Sequence, residues 1–213
     1  MTSGIKAPVL SSTEVREKAE EFRKLYVKPT NLVPVPIVEI VEFDLGLTVR
    51  LLQGLLTKLD MDGYITLDLS EIHIDHQIYW DERYNNRCRF TFAHEAGHYF
   101  LHGDYIKAQE FKNAEDWIEF RMQLNEEEHN WFEWQAYEFA GRLLVPRQEL
   151  KSELENLRPL ILQAKQSTPH VDDQLLIEYV SSKVCKKFEV SEGVITRRIY
   201  KEGLWSDLEF DKI

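Results

Sequence analysis

The chain has 213 residues, of which 43% are apolar and 30% carry a charge. These proportions are typical of folded globular proteins, and they exclude long-range disorder. With 26 basic and 37 acidic side chains, the formal net charge is −11, which disfavours phosphate backbones and anionic membrane surfaces as partners. The two cysteines, Cys88 and Cys185, are too few for a disulfide framework or a thiolate metal cluster.

The sequence contains no uninterrupted run of the roughly 18–20 apolar residues that a membrane span needs. Its first ten residues lack the charged and apolar regions of a secretory signal. Together with the small number of cysteines, these observations lead us to expect a cytoplasmic protein.

The first part of the chain predicts one helix, a proline-rich break and a second, short helix. Residues 13–26 place apolar side chains at helical spacing. The segment 29–36 contains three prolines, which remove backbone donors and restrict the preceding residues. We expect the short helix over 37–45 to end at Gly46.

Between residues 47 and 84 the pattern changes to that of strands. Three segments, 48–52, 63–69 and 71–75, are rich in apolar and β-branched residues. The sequence Asp-Met-Asp-Gly at 60–63 supplies turn chemistry before the second of them. We therefore predict a small, largely antiparallel sheet.

From residue 86 onward the pattern is mostly helical, with breaks at glycine, proline and capping residues. The predicted fold class is therefore α+β. The expected helices cover 86–101, 113–122, 125–144, 146–165, 172–187 and 191–200.

The first of these helices contains the pattern His-Glu-x-x-His, at His94, Glu95 and His98. On a helix, the two histidines lie one turn apart on the same face, so both imidazoles can bind one metal ion. Zn²⁺ accepts neutral imidazole and a tetrahedral geometry with an open position for water. Glu95 lies beside that position and is the candidate general base, because it can take a proton from the bound water.

A catalytic zinc site needs a third protein ligand. His102 is not a candidate, because it lies about 12 Å along the helix axis from the first histidine of the pattern; we expect it to meet carbonyls at the end of its helix. In the helix over 125–144, Glu133 shares a stripe with small residues that allow a neighbouring helix to approach closely. His129, one turn earlier on the same face, and Glu138 remain alternatives.

Two longer stretches resemble the ImmA/IrrE family of metallo-endopeptidases. The first is Phe-Thr-Phe-Ala-His-Glu-Ala-Gly-His-Tyr-Phe-Leu-His over 90–102. The second is Glu-x-x-Ala-x-x-Phe-Ala-x-x-Leu-Leu-x-Pro over 133–146. Segments near 34–47 and 188–198 are also similar, so that the resemblance covers about residues 30–204.

This resemblance implies a helical zincin-like core of the gluzincin type, with a short sheet beside the active-site helix. It implies His94, His98 and Glu133 as ligands of Zn²⁺, with another divalent ion such as Mn²⁺ as an alternative, and Glu95 as the catalytic base. It also implies cleavage of a protein substrate, a helix-turn-helix transcriptional repressor, and hence derepression of genes in bacteria or mobile elements. A membrane partner is not expected, direct nucleic-acid binding is disfavoured, and no residue is assigned to substrate binding.

The sequence also predicts how the chain is organised. We expect an N-terminal arm and helix over 1–30, a metalloprotease catalytic domain over 31–166 and a C-terminal helical subdomain over 167–213. The chain departs from the family pattern at Tyr137, where Asn is common, and in the 34 residues that separate His98 from Glu133.

The C-terminal helical pair allows an alternative function. Its two predicted helices and the short turn between them have helix-turn-helix proportions, and the segment is locally basic. A DNA-binding or protein-interaction regulator without catalysis is therefore the second hypothesis, although the apolar residues of the pair also fit simple packing on the core. The basic residues are Lys183, Lys186, Lys187, Arg197, Arg198 and Lys201.

Overall fold

The structure is a computed structural model that describes residues 9–108, 126–168 and 170–208, with the side chains of 126–129 outside that description. Within these ranges the protein is mostly helical, with one small sheet, which confirms the α+β class. The helix predicted over 113–122 lies outside the described residues.

The first helix, α1 (Ser12–Tyr26), begins at a capping box. The Ser11 hydroxyl accepts a hydrogen bond from the backbone N–H of Glu14, and the Glu14 carboxylate accepts one from the backbone N–H of Ser11. Its apolar face buries Val15, Ala19 and Phe22 in the core.

The next helical segment combines α2 (Ile37–Glu39) with a π-helical turn over Ile40–Asp44. It ends before Gly46, whose φ of +67° lies in the left-handed region that favours glycine. The predicted end of this helix is therefore confirmed.

The sheet contains β1 (Thr48–Leu52), β2 (Gly63–Ile65) and β3 (Glu71–Asp75) in the order β1-β3-β2. β1 pairs with β3 in parallel over five residue pairs, whereas β2 pairs with β3 antiparallel over three. The prediction of a largely antiparallel sheet is therefore wrong, and the sheet is mixed. The reason is a short helix, α3 (Leu55–Leu59), which carries the chain out of β1 and prevents a hairpin with β2.

Two short elements follow the sheet, α4 (His76–Trp80) and a 3₁₀ turn over Glu82–Tyr84. They lead into α5 (Asn85–Ala108), which extends beyond its predicted end. Gly103 does not stop this helix; a Cβ there would lie 3.3 Å from Leu69 Cδ1, so the glycine admits a close neighbour.

The remaining helices pack around α5. The predicted helix over 146–165 is divided at Leu157, because Pro159 removes a backbone donor and restarts the helix. The division of the chain at residues 30 and 166 stays a prediction. In chain order these helices are α6 (Glu126–Leu144), α7 (Arg147–Asn156), α8 (Arg158–Ser167), α9 (Asp173–Phe188), α10 (Glu192–Lys201) and α11 (Leu204–Asp207).

One apolar cluster joins α1, the inner face of the sheet, α5, α6 and the C-terminal helices. Within it, the Phe139 ring of α6 lies 5.5 Å from the Phe22 ring of α1, edge to face. The sheet and α6 thus flank α5 and fix the two sides of the candidate site.

Candidate metal centre

α5 carries a run of polar side chains through the interior of the protein. Arg89, His94, Glu95, His98 and His102 are all buried along it. Burying such groups costs free energy unless they find partners, so this helix concentrates the chemistry of the chain.

A glycine brings the neighbouring helix α6 close to this polar run. A Cβ at Gly97 would lie 3.1 Å from Phe139 Cδ1 and 3.3 Å from both the Cα and the carbonyl oxygen of Ala136. The backbones therefore meet where α5 has no side chain and α6 has a small one. This close approach, expected from the small-residue stripe, places Glu133 opposite the histidines.

His94, His98 and Glu133 offer one ligand atom each, and these three atoms all lie within 4.8 Å of one another. His94 Nε2 lies 3.0 Å from His98 Nε2 and 3.2 Å from Glu133 Oε2, and His98 Nε2 lies 3.8 Å from Glu133 Oε1. Two ligands held at 2.0–2.1 Å from a tetrahedral zinc ion are about 3.3 Å apart. The donor set and its spacing therefore fit a zinc ion.

The charges of this triad are coupled. Burial alone would raise the pKa of Glu133, but its hydrogen bonds with His94 and His98 lower it strongly. Burial lowers the pKa of His94, but the hydrogen bond with Glu133 and the charge of Glu95 outweigh it and raise that pKa overall. Glu133 is thus a carboxylate, the form that binds a metal.

His102 lies behind His98 and not at the end of the helix. Its Nδ1 lies 3.1 Å from His98 Nδ1, and its ring lies 4.0 Å from the Phe132 ring. Burial and the neighbouring His98 lower the pKa of His102 to about 3, so it is neutral. If His98 Nδ1 carries the proton and donates to His102, the His98 Nε2 lone pair faces Glu133. The expectation that His102 meets terminal carbonyls is wrong, because α5 continues for six more residues.

Glu95 reaches the site from the side of the sheet. Its Oε2 accepts a hydrogen bond of 2.8 Å from the backbone N–H of Ile65 in β2. Burial raises the pKa of Glu95 despite the nearby histidines. β2 can come this close to α5 because its first residue, Gly63, has no side chain. A Cβ there would lie 2.6 Å from the His73 carbonyl oxygen and 3.2 Å from Thr91 Cγ2 of α5.

One cleft of about 1200 Å³ lies between β2, α5, α6 and α10, and it is lined by His94, Glu95, His98 and Glu133. Two of the nine tyrosines, Tyr64 and Tyr137, also line it. The Tyr137 ring lies 4.5 Å from the His94 ring. Sequence reasoning did not assign Tyr137 to the site, although its position four residues after Glu133 was a usable signal. Apolar lining comes from Leu55, Leu59, Phe90, Ile106, Phe132 and Val194.

Glu138 and His129 were the alternatives to Glu133 as the third ligand. Glu138 is buried away from the cleft, where its Oε2 lies 3.3 Å from Arg198 Nη1 and 3.4 Å from Arg142 Nη2. Glu138 is thus paired with two arginines and is not a member of the ligand cluster. The side chain of His129 lies outside the described residues.

The basic residues of the C-terminal helical pair are partly used inside the protein. Arg198 is buried against Glu138 and Glu202, and Lys187 Nζ pairs with Glu153 Oε1 at 2.5 Å. α10 also contributes Val194 to the cleft. These two basic side chains are therefore committed to contacts within the chain.

One comparison with known protein families covers this site. Residues 65–200 match the family of M78 peptidases described as the IrrE N-terminal-like domain. A comparison with curated protein sequences finds no match. Among solved structures, a Mycobacterium tuberculosis transcriptional regulator is similar at 15% identity and a TM-score of 0.48, over 89% of this chain and 52% of that one.

The chain thus spans about half the length of that regulator. None of the helices in the described ranges combines the length and apolar character that a bilayer crossing needs. The family match extends over more than half of the chain and includes every residue of the candidate metal centre. The chain belongs to the ImmA/IrrE family, which is a family of metallopeptidases.

Proposed function

We propose that this protein is a zinc-dependent endopeptidase that hydrolyses a peptide bond in a specific protein, a helix-turn-helix transcriptional repressor. The observation that carries the proposal is the convergence of His94, His98 and Glu133 in one cleft beside the buried carboxylate of Glu95. We also assign the arrangement of α5, α6 and the sheet to the zincin-like type.

In this proposal, His94 Nε2, His98 Nε2 and Glu133 hold the ion, and Mn²⁺ is the alternative to Zn²⁺. When bound, the ion supplies a water whose pKa is lowered to about 7 and an electrophile that polarises the substrate carbonyl. His102 positions the ring of His98 through the contact between their Nδ1 atoms.

Glu95 moves the proton. Its burial raises its pKa, which brings its proton affinity closer to that of the group it serves at neutral pH. The backbone N–H of Ile65 fixes one oxygen of the carboxylate, so the second oxygen is the one that accepts the proton and later delivers it to the leaving amine.

The cleft suits an extended peptide. Among the described strands β2 is an edge strand of the sheet, and Gly63, Tyr64 and Ile65 all line the cleft. The backbone N–H of Ile65 already donates to Glu95, so an extended segment can add to this edge through the remaining main-chain groups. Asp60 and Asp62 also line the cleft, and the net charge of −11 favours a basic partner such as a DNA-binding repressor.

The proposal is tested first by metal content. Elemental mass spectrometry of untagged protein is expected to find about one zinc per chain. The His94→Ala variant should lose it. If neither the isolated protein nor protein given added zinc holds metal, the metallopeptidase assignment is wrong, and the DNA-binding alternative becomes the better hypothesis.

Catalysis is tested by incubating the zinc-loaded protein with a purified helix-turn-helix repressor and identifying new N-termini. Glu95→Gln, which keeps the size of the side chain, is expected to retain zinc and to abolish cleavage. Cleavage that persists in Glu95→Gln would refute its role as the base.

A further inference from the structure

A second cavity lies on the far side of α6 from the cleft. It measures about 370 Å³ and is formed by α1, the loop after it, α6, α7 and α10. Among the described residues, the two cavities share no lining side chain. It is therefore a separate feature of the molecule, and its volume is within the range of small-molecule sites.

Basic side chains dominate this cavity. Six of them line it, against three acidic ones, Glu20, Glu149 and Glu202. Adding Glu138, which pairs with two of the arginines, and Asp207, which pairs with Arg147, still leaves an excess of one positive charge, in a chain whose net charge is −11. The basic residues are Arg16, Arg23, Lys24, Arg142, Arg147 and Arg198.

Two of these arginines are almost fully buried. Arg142 Nη1 lies 2.6 Å from Glu202 Oε1, and Arg198 also donates to Glu202. Both arginines additionally contact Glu138. The pairs hold both guanidinium groups rigidly at the cavity wall.

These acidic partners do not use all the N–H donors of the arginines. The Nε atoms of Arg142, Arg198 and Arg16 are buried and have no hydrogen-bond partner within the described part of the chain. Arg23 contrasts with them, since its guanidinium donates to the carbonyl oxygens of Thr30, Leu32 and Leu143. Each guanidinium group has five N–H donors, so the contacts of Arg142 and Arg198 with Glu138, Glu202 and Ser12 leave further donors that an anion in the cavity would use.

The electrostatics agree with the geometry. Burial lowers the pKa of Arg198 to about 10, and the positive charges of Arg142 and Arg16 add to that effect while Glu138 opposes it. Burial likewise lowers the pKa of Arg142. An anion in the cavity would oppose these effects, because it favours the charged form of both guanidinium groups.

We propose that this cavity binds a phosphate group, either as free phosphate or as part of a phosphorylated small molecule. Guanidinium groups present paired donors that match phosphate oxygens, and the predominance of basic side chains in the lining fits an anion. The volume exceeds what one phosphate ion needs and leaves space for a small attached group. The inference is independent of the proposed peptidase function, because it concerns a different cavity.

Isothermal titration calorimetry of the zinc-loaded full chain, at constant ionic strength, tests this site. The probes are inorganic phosphate and adenosine monophosphate. We expect saturable binding, weakened about tenfold in Arg16→Gln, because one charged donor is lost. Arg147→Gln, on another helix, provides a second variant if circular dichroism shows that Arg16→Gln does not fold.

The matched control is Arg83→Gln, since Arg83 is exposed and pairs with Asp81 outside the cavity. It is expected to bind both probes as the unmodified chain does. Tighter binding of the nucleotide supports a phosphorylated small molecule, and equal or tighter binding of inorganic phosphate supports the free ion. Absence of saturable binding, or equal affinity in Arg16→Gln and Arg83→Gln, overturns the proposal, because the anion then sits at the metal or on the surface.

Discussion

The contact between α5 and α6 at Gly97 can be tested by adding one methyl group. In Gly97→Ala the new Cβ would lie 3.1 Å from Phe139 Cδ1 and 3.3 Å from the Ala136 backbone, below the 3.4–4 Å of ordinary contacts. The two helices must then move apart by a few tenths of an ångström.

The expected free-energy change has two parts. Overpacking a core costs about 1–3 kcal/mol. Replacing glycine by alanine inside a helix returns about 0.5–1 kcal/mol. We therefore expect the free energy of unfolding to fall by about 1–2 kcal/mol and the melting temperature of the metal-free protein to fall by about 2–8 °C.

Gly193→Ala is the matched control. Gly193 also lies in a helix, α10, but the nearest atom to its added Cβ is Ser191 Oγ at 4.0 Å. This variant should show only the helix gain, and its melting temperature should be equal to or higher than that of the unmodified chain. Both are measured by circular dichroism.

Zinc affinity provides the second readout. Gly97 adjoins His98, and Ala136 follows Glu133 by three residues, so separating the helices pulls the carboxylate away from the imidazoles. Competition with a zinc-binding dye should therefore show weaker binding in Gly97→Ala and unchanged binding in Gly193→Ala. If Gly97→Ala melts as high as Gly193→Ala and binds zinc equally well, the close approach does not position the ligand.

Three other variants test further contacts. Glu133→Ala should weaken zinc binding more than about a hundredfold in equilibrium dialysis; unchanged occupancy would move the assignment to His129. Phe139→Ala, at a fully buried ring, should cost about 3–5 kcal/mol in urea unfolding, and a loss below 1 kcal/mol would contradict its place in the core. Burial raises the pKa of Asp75, but hydrogen bonds from backbone N–H groups outweigh it and lower that pKa, so the stabilisation is lost as pH falls below about 4. The difference in the free energy of unfolding between Asp75→Asn and the unmodified chain should therefore shrink from pH 7 to pH 3. A constant difference would refute the stabilising role of the Asp75 carboxylate.

Local patterns predicted much of the architecture. The bounds of β1 and β3 agree with the predicted 48–52 and 71–75, because alternation and β-branching are local signals. Helical spacing also placed two histidines on one face, and the small residues of α6 indicated the helix that faces them. The structure brings these predicted ligands together.

Long-range pairing could not be predicted in the same way. Whether β1 pairs with β2 or β3 depends on α3, a helix of five residues that is too short to show a helical period. Gly103 resembles a helix terminator in sequence, yet it serves the packing of Leu69 against α5. The contact of Ile65 with Glu95 uses a backbone group, which no residue type can indicate.

This backbone contact has a consequence for how the protein can diversify. The carboxylate of Glu95 is oriented by the main chain of β2, and any residue except proline at position 65 supplies the same N–H group. The side chain at position 65, which borders the cleft, can therefore change and alter which peptide sequences fit, without disturbing the group proposed to carry the proton. Substrate preference and proton transfer can thus evolve separately at neighbouring atoms of the same strand.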